Sequence, residues 1–450
     1  MQYSFHALYY LVVVWRENFW KHCGRQSMNK KNALIVLSCA LASNVALADQ
    51  KITFNQAIDL AVRNNLEVQA SYEAYKASGL DKKSTRSAFL PRLSGSLSYE
   101  KVENEPNGGN SVTTDGYSGS LTLSQNLFNG FADMASLKIA DSKIATSEAN
   151  LQETKSQISY DLKNAVANYF YAKDSLTLSS DIKKRREDNL RMVELRFENG
   201  RENKGSVLLS KAYLEQAKLD LIKAQNAMNT SMTYLRRVLN ITDDTPIEIV
   251  DVPVVDEPSS TQTPNINSLI ELTPEAKRFK ATLANASATL ESSRSGFLPS
   301  WNLSASVGKS GTDFFPNDNK RLSVGTGITW SFFDGGKDFY STNSSALLVK
   351  AAEKRLENQN LELKRVLTDN YNAFVEAVAT VKVSTAFLEA SKVRAEIARS
   401  KYNNGLSNFD DWDIIENDLI TRQKDYTLKL RDRLIAEASW ERSQGTGVIP

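Results

Sequence analysis

Histidine and cysteine are scarce: two of each in 450 residues, at His6, His22, Cys23 and Cys39. A secretory signal is expected to remove all four. Lys30 and Lys31 form its basic start, Ala33 to Leu41 its apolar run, and Ala46-Leu47-Ala48 a small-x-small cleavage site. The earlier apolar stretch, Leu8 to Val14, falls far short of the roughly 20 residues of a membrane span, so Met28 is the expected first residue and 1–48 the extension and signal. Cys39 follows Val36-Leu37-Ser38, where Leu replaces the small residue of a lipid-attachment box, so the first expectation is a cleaved and unlipidated N-terminus, with a lipid anchor at Cys39 the alternative. From Asp49 onward there is neither thiol nor imidazole. That excludes cysteine nucleophiles, histidine acid–base catalysis, disulfides, and zinc or haem sites built on these ligands. No reaction, cofactor or metal is expected. Five of the 55 basic and one of the 53 acidic residues precede the cut, leaving a charge of −2, which argues against nucleic acid. The same stretch lacks any apolar run of about 20 residues, so a membrane can be crossed only by strands.

What is present is a duplication. Ser87-Ala88-Phe89-Leu90-Pro91 recurs as Ser295-Gly296-Phe297-Leu298-Pro299, Leu127-Phe128-Asn129-Gly130 as Phe332-Phe333-Asp334-Gly335, and Arg196-Phe197-Glu198-Asn199-Gly200 as Lys401-Tyr402-Asn403-Asn404-Gly405. Three matched marks in one order define a repeat. The first repeat covers 49–240, with strands near 92–101 and 117–128, a long helix over 132–198 and a return helix over 206–240. The second covers 271–450, with strands near 300–309 and 321–333, a long helix over 337–403 and a return helix over 410–443. A proline-rich linker, 241–270, separates them.

Ala132 to Glu198 and Lys337 to Asn403 contain no proline or glycine, so each can run as one helix of about 100 Å. Leu137, Ile144, Leu151, Ile158, Ala165 and Ala172 recur every seventh residue, as do Leu367, Phe374, Val381 and Leu388. The first return helix answers with Leu214, Leu221, Met228 and Leu235, and with Ala217, Ala224, Ser231 and Val238. Such spacing predicts a left-handed coiled coil. The strands alternate apolar with small polar residues and carry Tyr99, Tyr117, Trp301 and Trp330 toward their ends, the pattern of an outer-membrane barrel with an aromatic girdle. A soluble sandwich also alternates, and the secretory signal favours the barrel. Four strands cannot close, so copies must pool them, and three copies give twelve. The expected fold is mainly α with a β-barrel part: a homotrimer whose twelve-stranded barrel continues into a helical coiled-coil barrel.

These motifs together resemble the TolC-like outer-membrane factor family, the exit ducts of type I secretion and multidrug efflux. The resemblance covers nearly all of the chain after residue 48. It implies a homotrimer in outer-membrane lipid with a periplasmic helical tunnel, docked to a membrane-fusion adaptor and to an inner-membrane ABC transporter or proton-driven pump. It implies that Tyr402 helps hold the entrance closed, that Asp411 belongs to a cation-attracting ring, and that the tip turns Asn199-Gly200-Arg201 and Asn404-Gly405-Leu406 dock the adaptor. The family's second ring Asp falls on Ile414, beside Asp410 and Asp413. Its latch Arg falls on Ser407 and the Thr-Asp partner on Gly205 and Ser206. Independently of the family, Asp410, Asp411 and Asp413 open the return helix, where carboxylates complement the helix dipole, and threefold symmetry would triple any that face inward. Type I protein secretion is the first expectation and small-molecule efflux the alternative. A non-conducting periplasmic coiled-coil scaffold is the expectation of another class.

Overall fold

The computed structural model describes residues 50–104, 112–242, 247–251 and 264–449. The expected signal over 1–48, most of the proline-rich linker and the tip of the first strand loop lie outside the described residues. Two bodies are distinguished: residues 1–51 with 244–248, and residues 52–243 with 249–450. In the smaller, Lys51 and Glu248 pair at 3.6 Å. The larger holds every long element.

Caps and breakers set the boundaries. After β1 (Gln50–Ile52), α1 (Phe54–Asn64) opens with a capping box in which the Thr53 hydroxyl accepts from the Gln56 amide and the Gln56 side chain accepts from the Thr53 amide. Next, α2 (Leu66–Arg86) runs into a 3₁₀ turn at Ser87–Phe89, where Leu90-Pro91 stops helical pairing. The pair β2 (Arg92–Asn104) and β3 (Val112–Asn129) leads to α3 (Ala132–Glu198), then α4 (Lys204–Leu239) and the short β4 (Ile247–Ile249). The second repeat follows the same plan: α5 (Ile266–Leu272), α6 (Pro274–Arg294), a 3₁₀ turn at Ser295–Phe297, β5 (Ser300–Gly311), β6 (Asn319–Thr329), α7 (Lys337–Asn403) and α8 (Phe409–Ser443). Among the described residues no helix is long and apolar enough to cross a membrane.

One turn ties the repeats together. Gly130, at φ +64°, lies against the second Phe-Leu-Pro segment so closely that a Cβ would meet the Ser295 carbonyl at 2.6 Å. Only glycine fits this approach.

α3 packs along α4, α6, α8 and α2, and α7 packs along α8 and α6. Of the expected heptad positions, Leu151, Ile158, Ala165 and Ala172 on α3 and Leu367, Phe374, Val381 and Leu388 on α7 are buried. On α4 the small row, Ala217, Ala224, Ser231 and Val238, is buried throughout, whereas of the row Leu214, Leu221, Met228 and Leu235 only Leu235 is. Small residues at such positions let helix backbones approach closely.

The four long strands form one antiparallel sheet in the order β2-β3-β5-β6, leaving β2 and β6 as its edges. Their register sorts side chains cleanly. On one face lie Leu93, Leu97 and Tyr99, then Tyr117, Leu121 and Leu123, then Trp301, Leu303 and Val307, then Leu322, Val324 and Ile328. All of these but Tyr117 are exposed in the single chain, Leu97 at 92% and Leu322 at 74%. The opposite face is a lattice of serines bonded to each other across strands: Ser96 to Ser120 at 2.8 Å, Ser98 to Ser118 at 2.6 Å and Ser306 to Ser323 at 2.8 Å.

The fourth strand ends at Thr329, whereas alternation predicts it through 333. Thr329 pairs with Ser300, the first residue of β5, and the residues before Ser300 have already turned into the 3₁₀ segment, so Trp330 to Phe333 have no ladder partner. Trp330 instead donates its indole N–H to the Phe297 carbonyl at 3.2 Å.

Candidate functional site

Both long helices end in the same glycine cap. In the first, Gly200 at φ +68° donates to the Phe197 carbonyl at 2.9 Å and Arg201 to the Arg196 carbonyl at 2.8 Å. In the second, Gly405 at φ +76° donates to Tyr402 at 3.0 Å and Leu406 to Lys401 at 2.8 Å. This is the Schellman pattern, which requires a left-handed residue at the turn. Both return helices are then capped by asparagine: Asn203 accepts from the Ser206 amide at 2.9 Å and Asn408 from the Asp411 amide at 2.7 Å. Asn199, Gly200, Arg201, Asn404, Gly405 and Leu406 are all exposed, so the two turns form an open tip.

Behind the second turn sits an aromatic cluster. Tyr402 is 0% exposed, its ring stacked on Trp412 at 4.6 Å and 0°, with Phe409 edge-on to both and Val193, Val207 and Ala398 completing the cluster. The Tyr402 hydroxyl donates to Glu202 Oε2 at 2.9 Å. Arg196 lies over the other side of the tyrosine, its guanidinium 4.4 Å from the ring centre and its Nη1 donating to the Tyr402 carbonyl at 2.6 Å. Burial and the bond to Glu202 push the Tyr402 phenol far above its ordinary value, so it remains a donor at every physiological pH. Tyr402 therefore joins three elements: its own helix α7, the first tip turn through Glu202, and α3 through Arg196.

A second, polar layer lies between this cluster and the next apolar one, formed by Ile182, Ala217 and Ile420. Arg185 forks onto Glu416, with its Nε on Oε1 and Nη2 donating to Oε2 at 2.8 Å, while Asn189 donates to Oε1 at 3.1 Å. Glu416 is 1% exposed. Arg186 donates to the Asn417 side-chain carbonyl, stands 3.9 Å from Asp413, and covers the Tyr213 ring at 4.6 Å. Tyr213 on α4 and Asn417 both donate to Asp413 Oδ2, at 3.1 and 2.9 Å. Burial pushes the Glu416 carboxyl up, but the hydrogen bonds and charge of Arg185, with Asn189, hold it below the ordinary glutamate range. Asp413 is shifted the other way: burial raises it, opposed by Tyr213, Arg186 and Asn417.

The three candidate ring carboxylates therefore separate. Asp410 and Asp411 stand exposed in the first turn of α8, while Asp413 is turned inward against α3 and α4. The expectation that Asp413 shares an open ring with them fails because α8 buries one stripe, Phe409, Trp412, Asp413, Glu416 and Ile420, and Asp413 falls on it. Sequence reasoning also missed Glu202, Asn189, Glu416, Asn417 and Tyr213, and the basic run Lys183-Lys184-Arg185-Arg186, which reads in sequence as a solvated outer face, instead turns Arg185 and Arg186 onto α8. The stripe spacing of 409, 412, 413, 416 and 420 was the available signal for Glu416. Nothing local signals Glu202, which meets Tyr402 across 200 residues.

The four expected girdle residues take two levels. Tyr99 and Tyr117 are directly opposed, with ring centres 4.8 Å apart, at the loop end. Trp301 donates its indole N–H to Thr326 Oγ1 at 2.6 Å and lies with Trp330 at the helix end. Gly311, the partner of Tyr117, is ten residues from Trp301. At about 3.4 Å per residue the levels are about 34 Å apart along the strand, which a barrel tilt near 45° would reduce to about 24 Å.

A family model described as outer membrane efflux protein matches residues 57–240 and 265–446. The fold is similar to that of the CmeC outer membrane channel of Campylobacter jejuni, with a TM-score of 0.77, 16% identity, and 90% of each chain covered. It is also similar to the outer membrane protein VceC of Vibrio cholerae (0.75, 17%, covering 88% of this chain and 96% of that one). The open state of the MtrE outer membrane channel of Neisseria gonorrhoeae scores 0.73 at 18% identity, covering 88% and 89%. Curated proteins gave no match.

Proposed function

Because the chain belongs to the outer membrane efflux protein family, we propose that it is the outer-membrane exit duct of a tripartite export machine, assembled as a homotrimer. One observation carries this: a four-stranded sheet with an exposed apolar face, a hydroxyl-lined opposite face and two unpaired edges. In lipid each unpaired backbone group costs several kcal/mol, so the sheet needs further copies to close. Three copies supply twelve strands, enough for a water-filled bore.

The tip is then the periplasmic entrance, and its exposed turns are the docking site for a membrane-fusion adaptor that connects to an inner-membrane pump. The Tyr402–Glu202 bond and the Arg185–Glu416 layer hold the second helix pair against the first and keep the entrance narrow. They take the place of the salt-bridge latch whose arginine position is occupied by Ser407. Asp410 and Asp411, tripled, favour cations.

For cargo, type I protein secretion is the first proposal, supported by the expected cleaved and unlipidated N-terminus. Small-molecule efflux is the second, supported by the family's description.

Single-channel recording in a planar bilayer tests the duct. Wild-type trimers are expected to give a small, cation-selective conductance that Glu202→Ala enlarges. Assembled trimers that never conduct, with or without tip substitutions, would leave only the scaffold. A deletion strain separates the cargoes: loss of a secreted protein at unchanged drug tolerance indicates secretion, and the converse indicates efflux.

A further inference from the structure

The loop joining β5 and β6 does not stand free above the sheet. Phe314 packs edge-on against Tyr117 at 5.7 Å, and Phe315 packs edge-on against Phe314 at 4.9 Å. With Tyr99 against Tyr117 at 4.8 Å, four rings form one continuous ribbon. Tyr99 and Tyr117 belong to the apolar face, so the loop leans over the lipid side of the sheet. Phe314 and Phe315 are nonetheless 70% and 85% exposed. Tyr99 donates its hydroxyl to Asp115 at 3.0 Å, which fixes the polar end of the ribbon.

Beside the ribbon, on the same face, Lys309 and Lys320 are paired directly across β5 and β6. Directly opposed like charges have their Cβ atoms about 5 Å apart and destabilise a sheet. Among the described residues neither lysine has a carboxylate partner. Lys309 donates to the neutral Asn317 side chain at 2.5 Å, which leaves its charge in place. The neighbouring carboxylates point elsewhere, Asp115 accepting from Tyr99 and Asp318 from the Thr312 amide at 3.2 Å, so neither is paired with a lysine of the rung. An anion between the lysines would turn the repulsion into two attractions.

We propose that the aromatic ribbon and the Lys309–Lys320 rung form a binding site for a phosphate-bearing lipid headgroup of the outer leaflet, with the lysines on its phosphate and the rings, one step farther toward the loop end, against the outer part of the headgroup. Charge complementarity and position commit the site to this occupant: the rung sets two lysine charges side by side, it adjoins the aromatic level where headgroups begin, and it faces lipid rather than the bore. The proposal rests on the sheet spanning the outer membrane and is independent of gate and cargo.

The test uses the full-length trimer, reconstituted in nanodiscs of phosphatidylcholine containing either a phosphorylated glycolipid or its dephosphorylated counterpart, with retained lipid counted by native mass spectrometry. Wild type is expected to retain the phosphorylated form preferentially. Lys309→Gln/Lys320→Gln should lower that preference about tenfold or more, with single-channel conductance unchanged. Lys309→Arg/Lys320→Arg should keep it. Phe314→Ala/Phe315→Ala should weaken retention of both lipids alike. An unchanged preference in the glutamine variant overturns the proposal. So does displacement of the lipid by inorganic phosphate, which would mark a free-anion site, or loss of the trimer without loss of preference, which would assign the lysines to subunit contact. Protein that neither inserts nor conducts as wild type would instead break the duct reading.

Discussion

The two tips share a backbone and differ in chemistry. At an offset of 205 residues, Gly200 matches Gly405 and Asn203 matches Asn408, with the same caps and the same hydrogen bonds. Phe197 and Tyr402 are also equivalent, yet Phe197 is 43% exposed and Tyr402 fully buried. The return helices diverge at the same places. Where α8 has Phe409, Trp412, Asp413 and Glu416, α4 has Lys204, Val207, Leu208 and Lys211. Duplication supplied two identical corners, and only the second acquired the aromatic stack and the buried carboxylates. Turn geometry is fixed by backbone strain and tolerates little change, whereas side chains facing the neighbouring helices were free to diverge.

The largest test of this asymmetry is Glu416→Ala, which leaves the Arg185 guanidinium without its carboxylate. A loss of about 3–5 kcal/mol is expected, seen as a lower thermal midpoint of the detergent-solubilised trimer. Lys211→Ala, at the equivalent position, removes only an exposed pair with Glu194 and should change stability by less than about 1 kcal/mol. The Glu416 effect carries a pH signature. A carboxylate depressed in the folded state stabilises fully above its unfolded pKa, near 4.3, and that contribution is lost as pH falls through the depressed value. Glu416→Gln should therefore flatten the acid limb of stability while Lys211→Gln leaves it intact.

Next in size, Gly200→Ala and Gly405→Ala should each cost about 1–2 kcal/mol, because both positions are left-handed and open, so the strain alone is felt. Matching costs would sharpen the claim of a shared corner, and a cost confined to one would break it. Tyr402→Phe turns the second tip into the first at one atom. It should cost about 0.5–1.5 kcal/mol and raise single-channel conductance, whereas Phe197→Tyr should do neither. The smallest stability effect belongs to Asp411→Asn, which should shift the reversal potential away from cation selectivity. Asp413→Asn should leave the reversal potential unchanged, since Asp413 faces α3 and α4 rather than open solvent.

Much of the fold could be read in advance because its determinants are local. Glycine marks the ends of both 67-residue helices, seven-residue spacing marks their buried rows, and alternation marks the strands. Alternation failed at Trp330 to Phe333 because a strand requires a partner as well as a pattern. The tip was less legible. Its glycines and Tyr402 stand in recognisable turns, but the bonds Tyr402–Glu202 and Arg185–Glu416 join residues 200 and 231 positions apart. Three aspartates within four residues also look alike in a sequence, and the helix phase that buries Asp413 while exposing Asp410 and Asp411 separates them only once the neighbours are known.

The serine lattice on the sheet's polar face has a consequence for whatever passes along it. Ser96, Ser98, Ser118, Ser120, Ser306 and Ser323 already bond to one another, and their side chains are too short to reach into the lumen. Each pair uses one of its two O–H groups and leaves the other free, so in the proposed duct this wall would offer a travelling solute short, uncharged donors and acceptors at regular intervals.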